Sequence, residues 1–251
     1  MEFVFMKSDL NFLVSNLIAH RGYHSEEDSI PENSIPAFIK AIENNYIIEL
    51  DLHILKDGNV VVFHDDNLDR MTGLNKNIKD VTYDEIKDLN LKNTNNFIPL
   101  LPDVLNLVNG KVPIIIEFKY DVKAGILEKA TMDILKNYSG KFVVKSFSPL
   151  SILYFKKHYP NVVRGFLSSN MKSEKCFIKR WFLTSNFLLK FLNVDFLSYD
   201  INSLPDKMVK NFRKEHIILG WTVRNKDDFE KGKKYCDNLI CENFDILPNS
   251  D

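Results

Sequence analysis

Cysteine is nearly absent. The chain has three, Cys176, Cys236 and Cys241, and no CxxC pair. That excludes a disulfide framework and fits a reducing compartment, so a cytoplasmic location is expected. None of the three has the neighbours of a nucleophile, and they read as packing residues. Glycine and proline, nine of each, are too few for collagen-like or low-complexity character. Charge of one sign is also missing: 33 lysines and arginines face 34 aspartates and glutamates, a net charge of −1. No basic field is present to hold nucleic acid, and no nucleic-acid partner is expected. No run approaches the ~18 apolar residues that suggest a membrane span. The opening residues lack a basic stretch followed by a long apolar one, so no secretory signal is expected. There is no GxSxG elbow and no GxxxxGK[ST] loop, which removes the serine hydrolases and P-loop nucleotide enzymes.

What is present is an ordinary globular composition, 45% hydrophobic and 27% charged over 251 residues. That is enough apolar material to bury a full core. The length suits one α/β barrel as well as two smaller domains. No Gly/Ser/Pro-rich linker divides the chain. A single domain over 1–251 is expected, with a polar, Asn-rich insertion at about 66–98 that carries one short helix, TYDEIKDL.

Short apolar runs recur along the sequence. They are LIAH (17–20), IIELDL (47–52), VVVFH (60–64), IIIEF (114–118), FVVKSF (142–147), VVRGFL (162–167), FLSYD (196–200), IILGWT (217–222) and NLICE (238–242). Helical patterns lie between most of them. SIPAFIKAIEN offers Ser34 as N-cap and Pro36 in the first turn, and SPLSILYFKKHY opens on another cap signal. Strand–helix alternation predicts a parallel sheet with helical crossovers. One connection is too short for a crossover: IIELDLH reaches VVVFHD through a turn at Asp57-Gly58, so that pair is read as a hairpin. Eight parallel strands remain, the number that closes a β/α barrel. The rival open doubly wound sheet is disfavoured, because no glycine-rich loop follows the first strand.

In a β/α barrel the chemistry sits at the C-terminal ends of the strands. Those ends carry His20-Arg21-Gly22, Glu49 with Asp51, Glu117 with Lys119, and Trp221-Thr222; the hairpin return ends at His64-Asp65. Glu49 and Asp51 share one side of their strand, as do Glu117 and Lys119. Three converging carboxylates repel one another and take raised pKa values unless a cation joins them. Oxygen ligands select Mg²⁺ or Ca²⁺, and Lys119 is a partial substitute. An isolated ExD is ordinarily a solvated edge, but the strongly apolar flanks here favour a metal site. His53 reads as a core histidine, and Asp65, Asp66 and Asp69 as a solvated loop run. Arginine and a divalent cation both neutralise phosphate oxygens. Two histidines can act as general base and general acid on either side of a phosphorus centre. The set points to phosphodiester cleavage.

In order, the blocks AHRG (19–22), IPENSIPAF (30–38), IELDLHILKDGNVVVFHDDNLDR (48–70), IPLLPDVL (98–105), IIIEFK (114–119), SFSP (146–149) and GWTV (220–223) resemble the glycerophosphodiester phosphodiesterase family. The resemblance runs from about Leu17 to the C-terminus. It implies a distorted (β/α)8 TIM-type barrel with a hairpin and small insertion after the second strand. It implies that His20 and His64 are the acid–base pair and that Glu49, Asp51 and Glu117 hold a divalent cation, Mg²⁺ or Ca²⁺. It implies that Arg21 contacts phosphate, that Lys119 is a phosphate-side cation and that Trp221 lines the substrate pocket. Glu32 and Asn33 are expected to orient the first loop through backbone amides and His20. The implied reaction turns glycerophosphodiesters into glycerol 3-phosphate and an alcohol.

The chain departs from the family pattern at Met71-Thr72, at Arg224 and at Cys241-Glu242. None of these removes a proposed catalytic group. Segment 177–197 is the most apolar stretch. It reads as a barrel-packing helix, with a greasy lip presenting Lys179, Arg180 and Lys190 to lipid headgroups as the alternative. Two other functions remain open: a lysophospholipase D working at a membrane surface, and a non-catalytic barrel that binds phosphate. The expected partner is a small-molecule glycerophosphodiester, with peripheral membrane contact through 177–197 as an option and no protein partner implied.

Overall fold

The computed structural model of the protein describes residues 10–119, 123–170, 172 and 183–244. All nine apolar runs form strands: β1 (Ile18–Ala19), β2 (Ile47–Ile54), β3 (Val60–Val62), β4 (Ile114–Phe118), β5 (Phe142–Ser146), β6 (Arg164–Ser168), β7 (Phe196–Asp200), β8 (Ile217–Val223) and β9 (Asn238–Cys241). The α-helices described are α1 (Ile35–Glu43), α2 (Asp69–Thr72), α3 (Tyr83–Ile86), α4 (Leu101–Val108), α5 (Ile126–Leu135), α6 (Pro149–His158), α7 (Asn186–Leu192), α8 (Lys207–Phe212) and α9 (Lys226–Tyr235). The architecture is a parallel eight-strand barrel with helices, of TIM type, and β3 is an extra strand bonded to β2. Among the described residues, no helix is long and apolar enough to cross a membrane.

Contacts group the chain into two compact units, one of them Ala19–Phe142. Its centre is β2, in which all eight residues are buried. A strand covered on both faces must be apolar throughout unless its polar groups find partners, which makes Glu49, Asp51 and His53 conspicuous. β2 pairs in parallel with β4, placing Asp51 opposite Glu117 and Glu49 opposite Ile115. It pairs antiparallel with β3, Leu52 opposite Val62 and Ile54 opposite Val60, so the hairpin is as expected. α1 begins where its cap demands: Ser34 Oγ accepts from the Ala37 N–H at 3.4 Å, a proline sits in the first turn, and Ala37, Phe38 and Ala41 are buried.

The segment after β3 has its own small core, with Leu68, Met71, Ile78, Val81, Ile86, Leu91 and Ile98 buried against Leu55, Val61 and Phe63. It contains two short α-helices, α2 and α3, and a 3-10 turn at Ile78–Asp80, rather than the single helix expected. The polar sequence concealed α2, whose only buried side chain is Met71.

In the other unit β5, β6, β7, β8 and β9 follow one another in parallel. Arg164 is buried on β6, and its guanidinium donates to the carbonyls of Pro160, Val162 and Asn193. Cys236 and Cys241 are buried and form no disulfide. Burial pushes the Cys236 thiol up to about 12, which leaves it a packing group. Cys176 lies outside the described residues, as do 177–182 of the apolar segment. The described remainder forms α7, which buries Leu188, Leu189 and Leu192 and exposes Phe187, Lys190 and Phe191.

Candidate active site

The Ala19–Phe142 unit brings together every predicted site residue except Trp221. The register of β2 and β4 creates the cluster. Asp51 and Glu117 are neighbours across the pair, and Glu49 lies two residues back on the Asp51 face. One carboxylate oxygen from each of Glu49, Asp51 and Glu117 lies within 4.8 Å of the others, and all three residues are buried. Lys119, two residues past Glu117, bonds its ammonium to Glu117 Oε1 at 2.6 Å and Asp51 Oδ1 at 2.8 Å.

This arrangement decides the charge state. Burial alone would raise the Asp51 pKa, but Lys119 and Arg21 outweigh it, and the carboxyl is held well below the usual range. His64 and His20 add to that lowering, so both lie within electrostatic reach of Asp51. Lys119 is likewise pushed down by burial and raised further by Asp51 and Glu117. The repulsion expected among three carboxylates is thus offset in part, at Asp51, by this chain's own Lys119 and Arg21. All-oxygen donors at this spacing, with an arginine and a lysine alongside, fit a hard divalent cation.

The loop after β1 is held by its own backbone. Gly22 N–H donates to the carbonyls of Ala19 (3.2 Å) and Glu49 (3.3 Å). Gly22 has φ +77°, and a Cβ there would lie 2.9 Å from Ala37 Cβ, so glycine is required. Arg21 itself sits at φ 56°, left-handed and costly for a residue with a side chain. Its N–H donates to Glu49 Oε2 at 3.1 Å, and its Nε lies 3.5 Å from Asp51 Oδ2. Burial would lower the guanidinium pKa, but Asp51, Glu32 and Glu49 raise it. The side-chain bonds of Glu32 and Asn33 run to other side chains. Glu32 accepts from Arg21 at 2.7 Å, and Asn33 Nδ2 donates to Asp51 Oδ2 at 2.9 Å. The Asn33 N–H also donates to the Arg21 carbonyl at 2.8 Å.

His20 is buried just past β1, and His64 is part-exposed just past β3. His64 Nδ1 is 2.6 Å from Asp65 Oδ1. Asp65 is thus not the solvated loop residue its sequence suggested. Its burial is outweighed by bonds from His64 and Arg70, which lower its pKa. Arg70 is a second residue to which the sequence pattern assigns no role. Its guanidinium donates to Asp65 Oδ2 (2.5 Å), Glu32 Oε2 (3.0 Å) and Glu32 Oε1 (2.6 Å). His53, read as a core residue, is fully buried, and its Nε2 is 3.1 Å from the His64 carbonyl. The only sequence signal for Asp65 was its place beside His64. Arg70 gave none, because its partners are distant in the chain. Trp221 belongs to the other unit, where its ring meets Phe147 edge-on at 5.6 Å between centroids.

Residues 20–244 match the model of the glycerophosphoryl diester phosphodiesterase family. The chain belongs to this family. It is a phosphoric diester hydrolase. It is 31% identical over 250 residues to a glycerophosphodiester phosphodiesterase of Caldanaerobacter subterraneus, a match covering 93% of this chain and 96% of that one. A human lysophospholipase D is 35% identical over 139 residues, covering 50% of this chain and 42% of its own. Among solved structures, a phosphodiesterase of Oleispira antarctica in complex with the product sn-glycerol-3-phosphate superposes with a TM-score of 0.77. That match is at 20% identity and covers 91% of this chain and 93% of the other.

Proposed function

We propose that the chain hydrolyses glycerophosphodiesters to sn-glycerol 3-phosphate and an alcohol, with a divalent cation and two histidines. The observation that carries this reading is the buried group Glu49, Asp51 and Glu117, flanked by Arg21 and Lys119 and within electrostatic reach of His20 and His64. Glu49, Asp51 and Glu117 would hold the cation, Mg²⁺ or Ca²⁺. When bound, such a cation supplies Lewis-acid neutralisation of phosphate oxygen charge. Arg21 presents a permanently charged fork to a phosphate oxygen, fixed from behind by Glu32. Lys119 adds a second positive charge on the phosphate side. One histidine takes the proton from the nucleophile: a water, which gives glycerol 3-phosphate directly, or the adjacent glycerol hydroxyl, which gives a cyclic phosphate that a water then opens. The other returns a proton to the departing alcohol oxygen. His64 is suited to this traffic. The Asp65 carboxylate is ionised and can only accept, so the ring's Nδ1 donates to it and Nε2 is left for proton exchange.

The experiment is release of glycerol 3-phosphate from glycerophosphocholine, with EDTA and then with Mg²⁺ or Ca²⁺ restored separately. Loss with EDTA and recovery with one cation is the expected result. Release unaffected by EDTA removes the cation from the reading.

A second reading makes lysophospholipids the substrate. Two observations favour it: the exposed Phe187 and Phe191 on α7, and the lysophospholipase D relative.

A further inference from the structure

Two arms of the site meet at one side chain that the reaction itself does not use. One arm runs from His64 to Asp65, with Nδ1 and Oδ1 2.6 Å apart. The other runs from Arg21 to Glu32 at 2.7 Å. Asp65 and Glu32 are separated in sequence, and nothing in the register of β2 and β3 fixes one against the other. Arg70, on α2, bonds both. Its Nε donates to the second oxygen of Asp65, and its two terminal nitrogens take both oxygens of Glu32. Asp65 thus gives one oxygen to His64 and the other to Arg70, while Glu32 offers both oxygens to Arg70 and shares Oε1 with Arg21.

A guanidinium is suited to this because its donors lie in one plane and in a fixed fork. Satisfying Asp65 and Glu32 together sets the distance between them, and hence between the His64 ring and the Arg21 fork. The backbone supports the anchor: Arg70 sits in α2, whose Met71 is buried in the small core of the segment after β3.

We propose that Arg70 is a positioning residue that sets the acid–base histidine and the phosphate-binding arginine in register, through Asp65 and Glu32. The proposal rests on the roles given above to His64 and Arg21, and it predicts a division of effects. Asp65→Asn frees the His64 ring and lowers kcat, with little change in KM. Glu32→Gln frees Arg21 and raises KM, with a smaller change in kcat. Arg70→Met does both, by on the order of tenfold to a hundredfold in kcat/KM, since small misplacements of reacting groups cost that much. Arg70→Lys keeps the charge but not the fork, and so recovers only a minor part.

The test measures kcat and KM for these four variants on glycerophosphocholine, with thermal unfolding to verify folding. Two readings need no turnover. Long-range proton–nitrogen NMR of the His64 ring reports which nitrogen bears the proton, and calorimetry with glycerol 3-phosphate reports the Arg21 arm. A changed His64 ring and a weakened glycerol 3-phosphate affinity in Arg70→Met support the proposal. Arg70→Lys matching the wild type in kcat, KM and both binding readouts overturns it, because a charge alone would then suffice. Unchanged NMR and affinity in Arg70→Met also overturn it. A wild type that releases no glycerol 3-phosphate defeats the functional reading instead, and the two binding readouts still judge Arg70.

Discussion

Asp51 and Glu117 stand opposite each other on adjacent parallel strands, and the ammonium of Lys119 bonds both. The pair is buried, so its two negative charges have lost most of their water. Lys119 and Arg21 replace that hydration. Two cations thus offset only part of the charge of the three buried carboxylates before any divalent cation is considered.

Lys119→Met removes one of those charges and leaves Asp51 and Glu117 facing each other. Without a divalent cation the variant should lose about 3 kcal/mol of stability, the usual size for breaking a buried pair. Added Mg²⁺ or Ca²⁺ should restore part of it, because a ligand that binds the folded form stabilises it. Thermal unfolding with EDTA and with each cation checks both points. A variant as stable as the wild type in EDTA would mean that Lys119 does not compensate the carboxylates.

Much of this site is legible in the sequence, and the reason is physical. Glu49, Asp51 and Glu117 interrupt strongly apolar strands, and buried strand carboxylates need partners. The hairpin follows from a connection too short for a crossover. Asp65 and Arg70 are different. Asp65 sits in an acidic run, and only the fold shows one member of that run turned toward His64. Arg70 meets Glu32 across 38 residues, in a segment whose composition reads as loop. Pattern reasoning registers periodicity and local chemistry, and this bridge has neither. Helix α2 of that segment is hidden for the same reason, since four residues around one buried methionine leave no period to detect.

Glu32 predicts an acid response. Burial would raise its pKa, but bonds from Arg70 and Arg21 bring it down to about 2. A depressed carboxylate contributes stability that is fully present above its unfolded value, near 4.5, and is lost as pH falls through the folded value. A carboxyl that ionises one pH unit lower when folded gains about 1.4 kcal/mol, so the ceiling is roughly 3 kcal/mol. Arg70 is nearly half exposed, and screening reduces the contribution to about 1–2 kcal/mol. The unfolding temperatures of the wild type and Glu32→Gln should differ most above pH 5 and converge toward pH 2. A difference that stays constant across that window would show that Glu32 is not linked in this way.

The two histidines should separate chemistry from cation binding. His20→Ala and His64→Ala are each expected to lower kcat by about 10²–10⁴-fold, the range of general acid–base catalysis. Calorimetric affinity for the divalent cation should stay near the wild-type value, because Glu49, Asp51 and Glu117 are untouched. Near-native turnover in His64→Ala would overturn the acid–base assignment.

The exposed face of α7 sets the last expectation. Phe187 and Phe191 are 66% and 50% exposed, and their rings stack 6.5 Å apart. The Lys156 ammonium lies 5.3 Å from the Phe191 ring, so apolar and basic groups share this surface. Aromatic rings beside lysines suit the boundary between acyl chains and anionic headgroups. If lysophospholipids are substrates, the wild type should float with anionic phospholipid vesicles, and a Phe187→Ser/Phe191→Ser variant should not. That variant should keep its activity on glycerophosphocholine, which needs no surface, and lose it on lysophosphatidylcholine micelles. Equal activity of the variant and the wild type on micelles would remove α7 from lipid recognition, and a wild type that fails to float would leave water-soluble glycerophosphodiesters as the better-supported substrate class.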